Sequence, residues 1–262
     1  MSSFTRDQST ALRQLSEIWK DTRFCLIGAS ALARQVDLPR QTADLDVSVS
    51  VSLDALAADL QRLEGWKRHP QSEHAWVSPS GVRVDVLPAG PSYLAAGEIV
   101  WPGTGARMNL TGIRLALKTG RPVEVEPGFR IPMAPVHVLA LLKMISYLDR
   151  PAERERDLHD LAHILEGYVP PDDERRFAPE VLDVDVPYEH ASAFLLGYDL
   201  AGIVNDGERR AVDEFLSRVR NERHPSAVQA RMASLGPAAW NRDPDELVLR
   251  IEAFTMGLGP AR

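Results

Sequence analysis

The chain has 262 residues, 44% of them hydrophobic and 26% charged, and a formal charge of −7. That length supports one large domain or two modest ones, and the composition is that of an ordinary globular protein. The acidic balance argues against long, non-specific nucleic-acid binding through many phosphate contacts. No run reaches the roughly 18 apolar residues of a membrane helix, and the lone Cys25 excludes an internal disulfide.

The first residues, MSSFTRDQSTALRQL, lack the apolar core of a secretory signal and read as the start of a helix. With a single cysteine, this predicts a protein of the reducing cytoplasm, with no membrane partner. FCLIG (24–28) is a short apolar strand that ends in a glycine turn, and ALARQV continues with helix formers. DLDVSVSVS (44–52) alternates, with Val47, Val49 and Val51 on one face, the period of a half-buried strand. LDALAADLQRL (53–63) has helical spacing and stops at Gly65. HAWVS (74–78) and VRVDVLP (82–88) read as strands joined by the turn Pro79-Ser80-Gly81. Short β-prone pieces broken by glycine and proline fill 99–131.

After Pro135 the pattern turns helical: 136–150, 154–167 (ending at Gly167), and then segments near 187–204, 207–221, 225–234 and 243–256. YVPPDDERRFAPE (168–180) is a proline-rich, charged connection. The expectation is an α/β (α+β) domain over 1–132, a mixed sheet with flanking helices, followed by a helical domain over 133–262.

Asp44 and Asp46 stand two apart on a strand, so they share a face with Cα atoms about 6.5–7 Å apart. Carboxylates so spaced can converge on one cation, or bracket two cations about 3.5–4 Å apart. A solvent-facing acidic pair at a strand end is the plain alternative. Gly28-Ala29-Ser30 lies at a strand-to-helix turn, where backbone N–H groups and a hydroxyl can meet a phosphate. Asp85 lies mid-strand on the face of Arg83 and Leu87, opposite Val82, Val84 and Val86. Aspartate is disfavoured there, which asks for a reason such as a third metal ligand.

The run LIGASALARQVDLPRQTADLDVSVSV resembles the nucleotidyltransferase fold superfamily, with its small-residue turn, helix and D-x-D strand. Arg40, Thr42, Asp44, Leu45 and Asp46, as R-x-T-x-D-L-D, look most like the AbiEii/AbiGii-type nucleotidyltransferase toxin group. VLALLKMISYLDRPAERERDLHDL is similar to that group's helical motif, a lysine followed by R-D-L-x-D-L. The resemblance covers roughly residues 20 to 167.

It implies a metal-dependent nucleotidyltransferase that moves NMP from an NTP to an acceptor hydroxyl. Gly28 and Ser30 would hold the β- and γ-phosphates, with Ala29, Arg40 and Thr42 in the same nucleotide-binding set. Asp44 and Asp46 would ligate Mg²⁺. Asp85 would complete a second Mg²⁺ site and help deprotonate the acceptor. Lys143 would contact the triphosphate, and Asp157 would match the helical motif's aspartate. The helical domain would close over the nucleotide. The acceptor stays open: an RNA end such as the 3′ end of tRNA, or a protein hydroxyl, for a toxin with a cognate antitoxin. An aminoglycoside-type small-molecule enzyme and a non-catalytic NTP-binding partner protein are the rivals.

Other residues have plainer readings. Lys143 sits between apolar helix positions, where a snorkelling amine is the alternative. Arg156, Asp157 and Asp160 can form a solvated helix face, and Asp160 is read as structural. His159 and His163 have zinc spacing but no third ligand, and read as helix-surface histidines. Trp66, Trp76 and Trp101 are either core or base-stacking.

Overall fold

The computed structural model describes residues 4–39, 42–220, 226–238, 240 and 245–260. They fall into two units: 1–35 with 39–135, and 36–38 with 136–262.

In the first unit α1 (Arg6–Ile18) begins at a reciprocal cap, Thr5 accepting from the Gln8 N–H while the Gln8 side chain accepts from the Thr5 N–H. Its apolar stripe of Ala11, Leu12 and Leu15 is buried. β1 (Phe24–Ile27) is buried throughout and runs directly into α2 (Gly28–Ala33). Then follow β2 (Leu45–Val49) and α3 (Leu53–Gln61), whose first turn is capped by Ser52. β3 (Lys67–Arg68), β4 (Ala75–Val77) and β5 (Arg83–Pro88) come next. The unit ends with α4 (Pro91–Ala96), β6 (Glu98–Val100), β7 (Arg107–Asn109), α5 (Ile113–Thr119), β8 (Arg121–Glu126) and β9 (Phe129–Met133).

Seven of these strands form one sheet in the order β3-β4-β5-β2-β1-β9-β8, and β6 with β7 forms a separate hairpin. β2 runs parallel to β5 and β1 parallel to β9, while the other pairs are antiparallel. The mixed α/β sheet expected from the sequence is present.

Two local expectations change. β2 ends at Val49, before Val51, and it is not half-buried, because Ser48 on the opposite face is as fully covered as Val47 and Val49. A central strand with helices packed against it, here α2 and α5, buries both faces. Ile113–Thr119 is a helix rather than a β piece: IRLALKT holds good helix formers between left-handed Gly112 and the terminating Gly120.

The second unit is helical among the described residues: α6 (Val136–Asp149), α7 (Glu155–Gly167), α8 (Pro179–Leu182), α9 (Ala191–Ala201), α10 (Asp206–Val219), α11 (Ala227–Leu235) and α12 (Glu246–Leu258). The segment expected as one helix from 187 instead opens with a separate 3-10 turn, Tyr188–His190. α9 and α12 touch backbone to backbone. A Cβ at Gly257 would stand 2.8 Å from the Tyr198 nitrogen, and one at Gly197 would stand 3.0 Å from the Leu258 nitrogen. Leu139, Leu161, Ile164, Leu195, Phe215 and Phe254 fill the core of this unit.

Candidate active site

The registers of three strands bring the site together in the first unit. Asp46 pairs with Ile27 across β1–β2 and with Asp85 across β2–β5. Register partners on neighbouring strands leave the same face, with about 4.8 Å between strands, so Asp46 and Asp85 project side by side. Asp44 is exposed one residue before β2, and Asp46 and Asp85 are half-buried. The approach to β2 is held by Gln8, whose side-chain amide donates to the carbonyls of Thr42 (3.4 Å) and Ala43 (3.1 Å).

Gly28 follows Ile27 and lies beneath Asp46. A Cβ there would stand 2.6 Å from Asp46 Cγ and 2.7 Å from Asp46 Cβ. Its φ of 71° is also in the left-handed region. Ala29 is half-buried. Ser30 is 3% exposed, and its Oγ meets no hydrogen-bond partner among the described residues. A hydroxyl buried in that way costs about 1–3 kcal/mol. Thr42 is half-buried, and Arg40 lies outside the described residues.

Asp85 is engaged by two groups that its motif does not include. Arg83 Nε and Nη2 donate to its two oxygens at 2.9 and 3.1 Å, and His74 Nε2 stands 3.8 Å away. The guanidinium is held above the ordinary arginine range, first by its hydrogen bond to Asp85, against burial, and then by the charges of Asp85, Asp44 and Asp46. All three aspartates therefore act on one cation. The His74 ring lies 5.5 Å from Trp101. Arg83 was legible as sharing the Asp85 face, but its pairing was not. His74 carried no sequence signal, since β4 reaches Asp85 only through the β4–β5 register. Trp66, Trp76 and Trp101 are all buried, which makes them core residues.

Lys143 and Asp157 lie in the second unit. The Lys143 amine does not snorkel to water: it meets Asp157 Oδ1 at 2.9 Å and Asp160 Oδ2 at 2.6 Å. Burial would push the ammonium down, but the charges and hydrogen bonds of the two aspartates hold it above the usual lysine value. Asp157 and Asp160 are buried rather than part of a solvated helix face, and Asp157 Oδ2 has no partner among the described residues. His159 and His163 are half-buried with ring centroids 4.6 Å apart. Burial, then the neighbouring His159, push His163 down.

Among the described residues, no three His, Cys, Asp or Glu side chains are gathered tightly enough to hold a metal ion as they stand. The donor set still suits magnesium bound to a nucleotide: hard carboxylate oxygens on adjacent strands, the bare Cα of Gly28 beneath them, and the unpartnered Ser30 hydroxyl.

A mixed sheet with a G-x-S turn after one strand and aspartates at matched positions on the next two defines a nucleotidyltransferase fold. The chain belongs to the AbiEii family, described as "Nucleotidyl transferase AbiEii toxin, Type IV TA system", whose model matches residues 10–248. The match thus extends well beyond residue 167, where the resemblance in sequence was expected to stop. No curated protein matches the chain. Among solved structures it is similar to an antigenic nucleotidyltransferase-like protein from Paracoccidioides brasiliensis, at 17% identity and a TM-score of 0.40, covering 61% of this chain and 76% of that one. It is also similar to JHP933 from Helicobacter pylori, at 12% identity and a TM-score of 0.42, covering 98% and 94%.

Proposed function

We propose that the protein transfers a nucleoside monophosphate from an NTP to an acceptor hydroxyl, releasing pyrophosphate, with Asp44, Asp46 and Asp85 as the ligands of two Mg²⁺ ions. The observation that carries this reading is the packing of Asp46 over Gly28 with Asp85 beside it in register. Bound Mg²⁺ would supply charge neutralisation for the attacking and leaving oxygens. Gly28 would leave room for phosphate and Ser30 would donate its hydroxyl, with Ala29, Arg40 and Thr42 in the same nucleotide-binding set. Asp85 accepts the acceptor's proton. Lys143 and Asp157 belong to the same reading as residues of the helical motif. In it the helical domain closes over the nucleotide, and an antitoxin restrains the enzyme in the cytoplasm. Among the described residues no helix is long and apolar enough to cross a membrane.

The toxin family points to an acceptor essential to the cell, an RNA end such as the 3′ end of tRNA or a protein hydroxyl. The test is label transfer from each α-³²P NTP, with Mg²⁺, to total RNA and cell extract. Label on RNA that disappears with Asp44→Ala/Asp46→Ala supports the reading. Label on protein names a protein hydroxyl as that acceptor, and label only on an added aminoglycoside favours the small-molecule reading. Undiminished transfer by the double variant overturns the site.

A further inference from the structure

Asp46 and Asp85 stand side by side in register, with Asp44 one residue before β2, and carboxylates so placed repel one another unless positive charge stands nearby, which β5 itself provides. Arg83 is two residues before Asp85 on the same strand, so both side chains leave the same face. Its two nitrogens, at 2.9 and 3.1 Å, reach the two separate oxygens of Asp85, a fork-on-fork pair. The fork takes one acceptor site on each carboxylate oxygen and sets a positive charge beside both, so a cation approaching Asp85 meets a weakened donor and a like charge. Arg83 remains 38% exposed, so water borders the guanidinium and it has room to leave.

We infer that Arg83 is the built-in counter-ion of the site: it holds Asp85 until a divalent cation displaces it. The inference rests on the proposed metal site. Arg83 is thus a positioning residue that sets how readily the cation binds, at the cost of competing with it. The guanidinium stays charged across the physiological range, whereas His74, whose Nε2 stands 3.8 Å from Asp85, adds positive charge there only when protonated.

The test measures Mn²⁺ binding to the full chain by calorimetry, with no nucleotide present, for the wild type, Arg83→Met, Arg83→Lys and Asp46→Asn. Arg83→Met removes the fork and its charge and should tighten Mn²⁺ binding about threefold to tenfold, the scale of a partly exposed, charge-assisted pair. Arg83→Lys keeps the charge without the fork and should fall between. Circular dichroism establishes that each variant folds, and Arg83→Lys carries the comparison if Arg83→Met does not. Equal or weaker binding in both Arg83 variants, with binding lost in Asp46→Asn, overturns the counter-ion and leaves the metal site standing. No Mn²⁺ binding by the wild type, or binding indifferent to Asp46→Asn, overturns both.

Discussion

Asp46 is packed directly over the bare Cα of Gly28, with its Cγ only 2.6 Å from where a side chain would begin. A metal-ligand candidate and the first phosphate-binding candidate are therefore one packing unit, although they stand 18 positions apart in sequence. Gly28→Ala would strain a left-handed backbone, costing about 1–2 kcal/mol, and would push Asp46 aside. We expect kcat to fall about a hundredfold, since a displacement of about 1 Å at a reacting group costs that much. The melting temperature should drop by only roughly 2–8 °C. Full activity in a folded Gly28→Ala protein would show that Asp46 is not where the chemistry occurs.

Ser30 offers the opposite combination. Its hydroxyl is buried without a partner among the described residues, so Ser30→Ala should leave stability unchanged or raise it by up to about 1–3 kcal/mol. If the hydroxyl serves the nucleotide, the same variant should raise the KM for NTP about tenfold, the worth of one hydrogen bond to a charged group. Thermal melts and NTP titrations on one preparation check both halves. A protein less stable than wild type would mean that Ser30 is a packing residue.

Much of this site was readable in advance because strand periodicity and local spacing are short-range signals. The faces of Asp46 and Asp85 follow from alternation within single strands, and the G-x-S turn from the change of strand into helix formers at Gly28, while Asp44, expected on the strand, falls one residue before it. The adjacency of Asp46 and Asp85 did not follow, because the parallel register of β2 and β5 is set after α3, β3 and β4 have intervened. The helix at Ile113–Thr119 was missed because seven residues hold too few turns to show a period. The destination of the Lys143 amine was hidden for a related reason: both of its partners come from the next helix, and helix packing is invisible to a single-segment pattern.

Cys25 gives a pH signature. Burial pushes its thiol up to about 12, from an ordinary value near 9.0. The unfolded chain therefore loses this proton first, so the contribution to stability is complete below pH 9 and is lost as pH rises towards 12. The slope should not exceed about 1.4 kcal/mol per pH unit for one group. Urea melts at pH 8, 9 and 10 in wild type and Cys25→Ala should diverge in that window, with the variant falling less steeply. The native thiol should also resist a disulfide reagent at pH 8 and react on unfolding.

Lys143 tests how far the second unit depends on one buried cation. Its ammonium balances Asp157 and Asp160, both buried beside it. Lys143→Met would leave two buried carboxylates without a cation, and losing one partner of a buried pair costs about 3–5 kcal/mol. The further change Asp160→Asn should recover part of that loss, because an amide removes a charge that no longer has a counterpart. Lys143 also has a folded-state pKa above its ordinary value, so its contribution holds through neutral pH and is lost only on the alkaline side of the usual lysine range. Denaturant melts of the three proteins at pH 7.5 check the first two statements. If Lys143→Met melts like wild type yet loses nucleotide binding, the amine spends its time on the triphosphate and the ion pairs with Asp157 and Asp160 carry little of the fold.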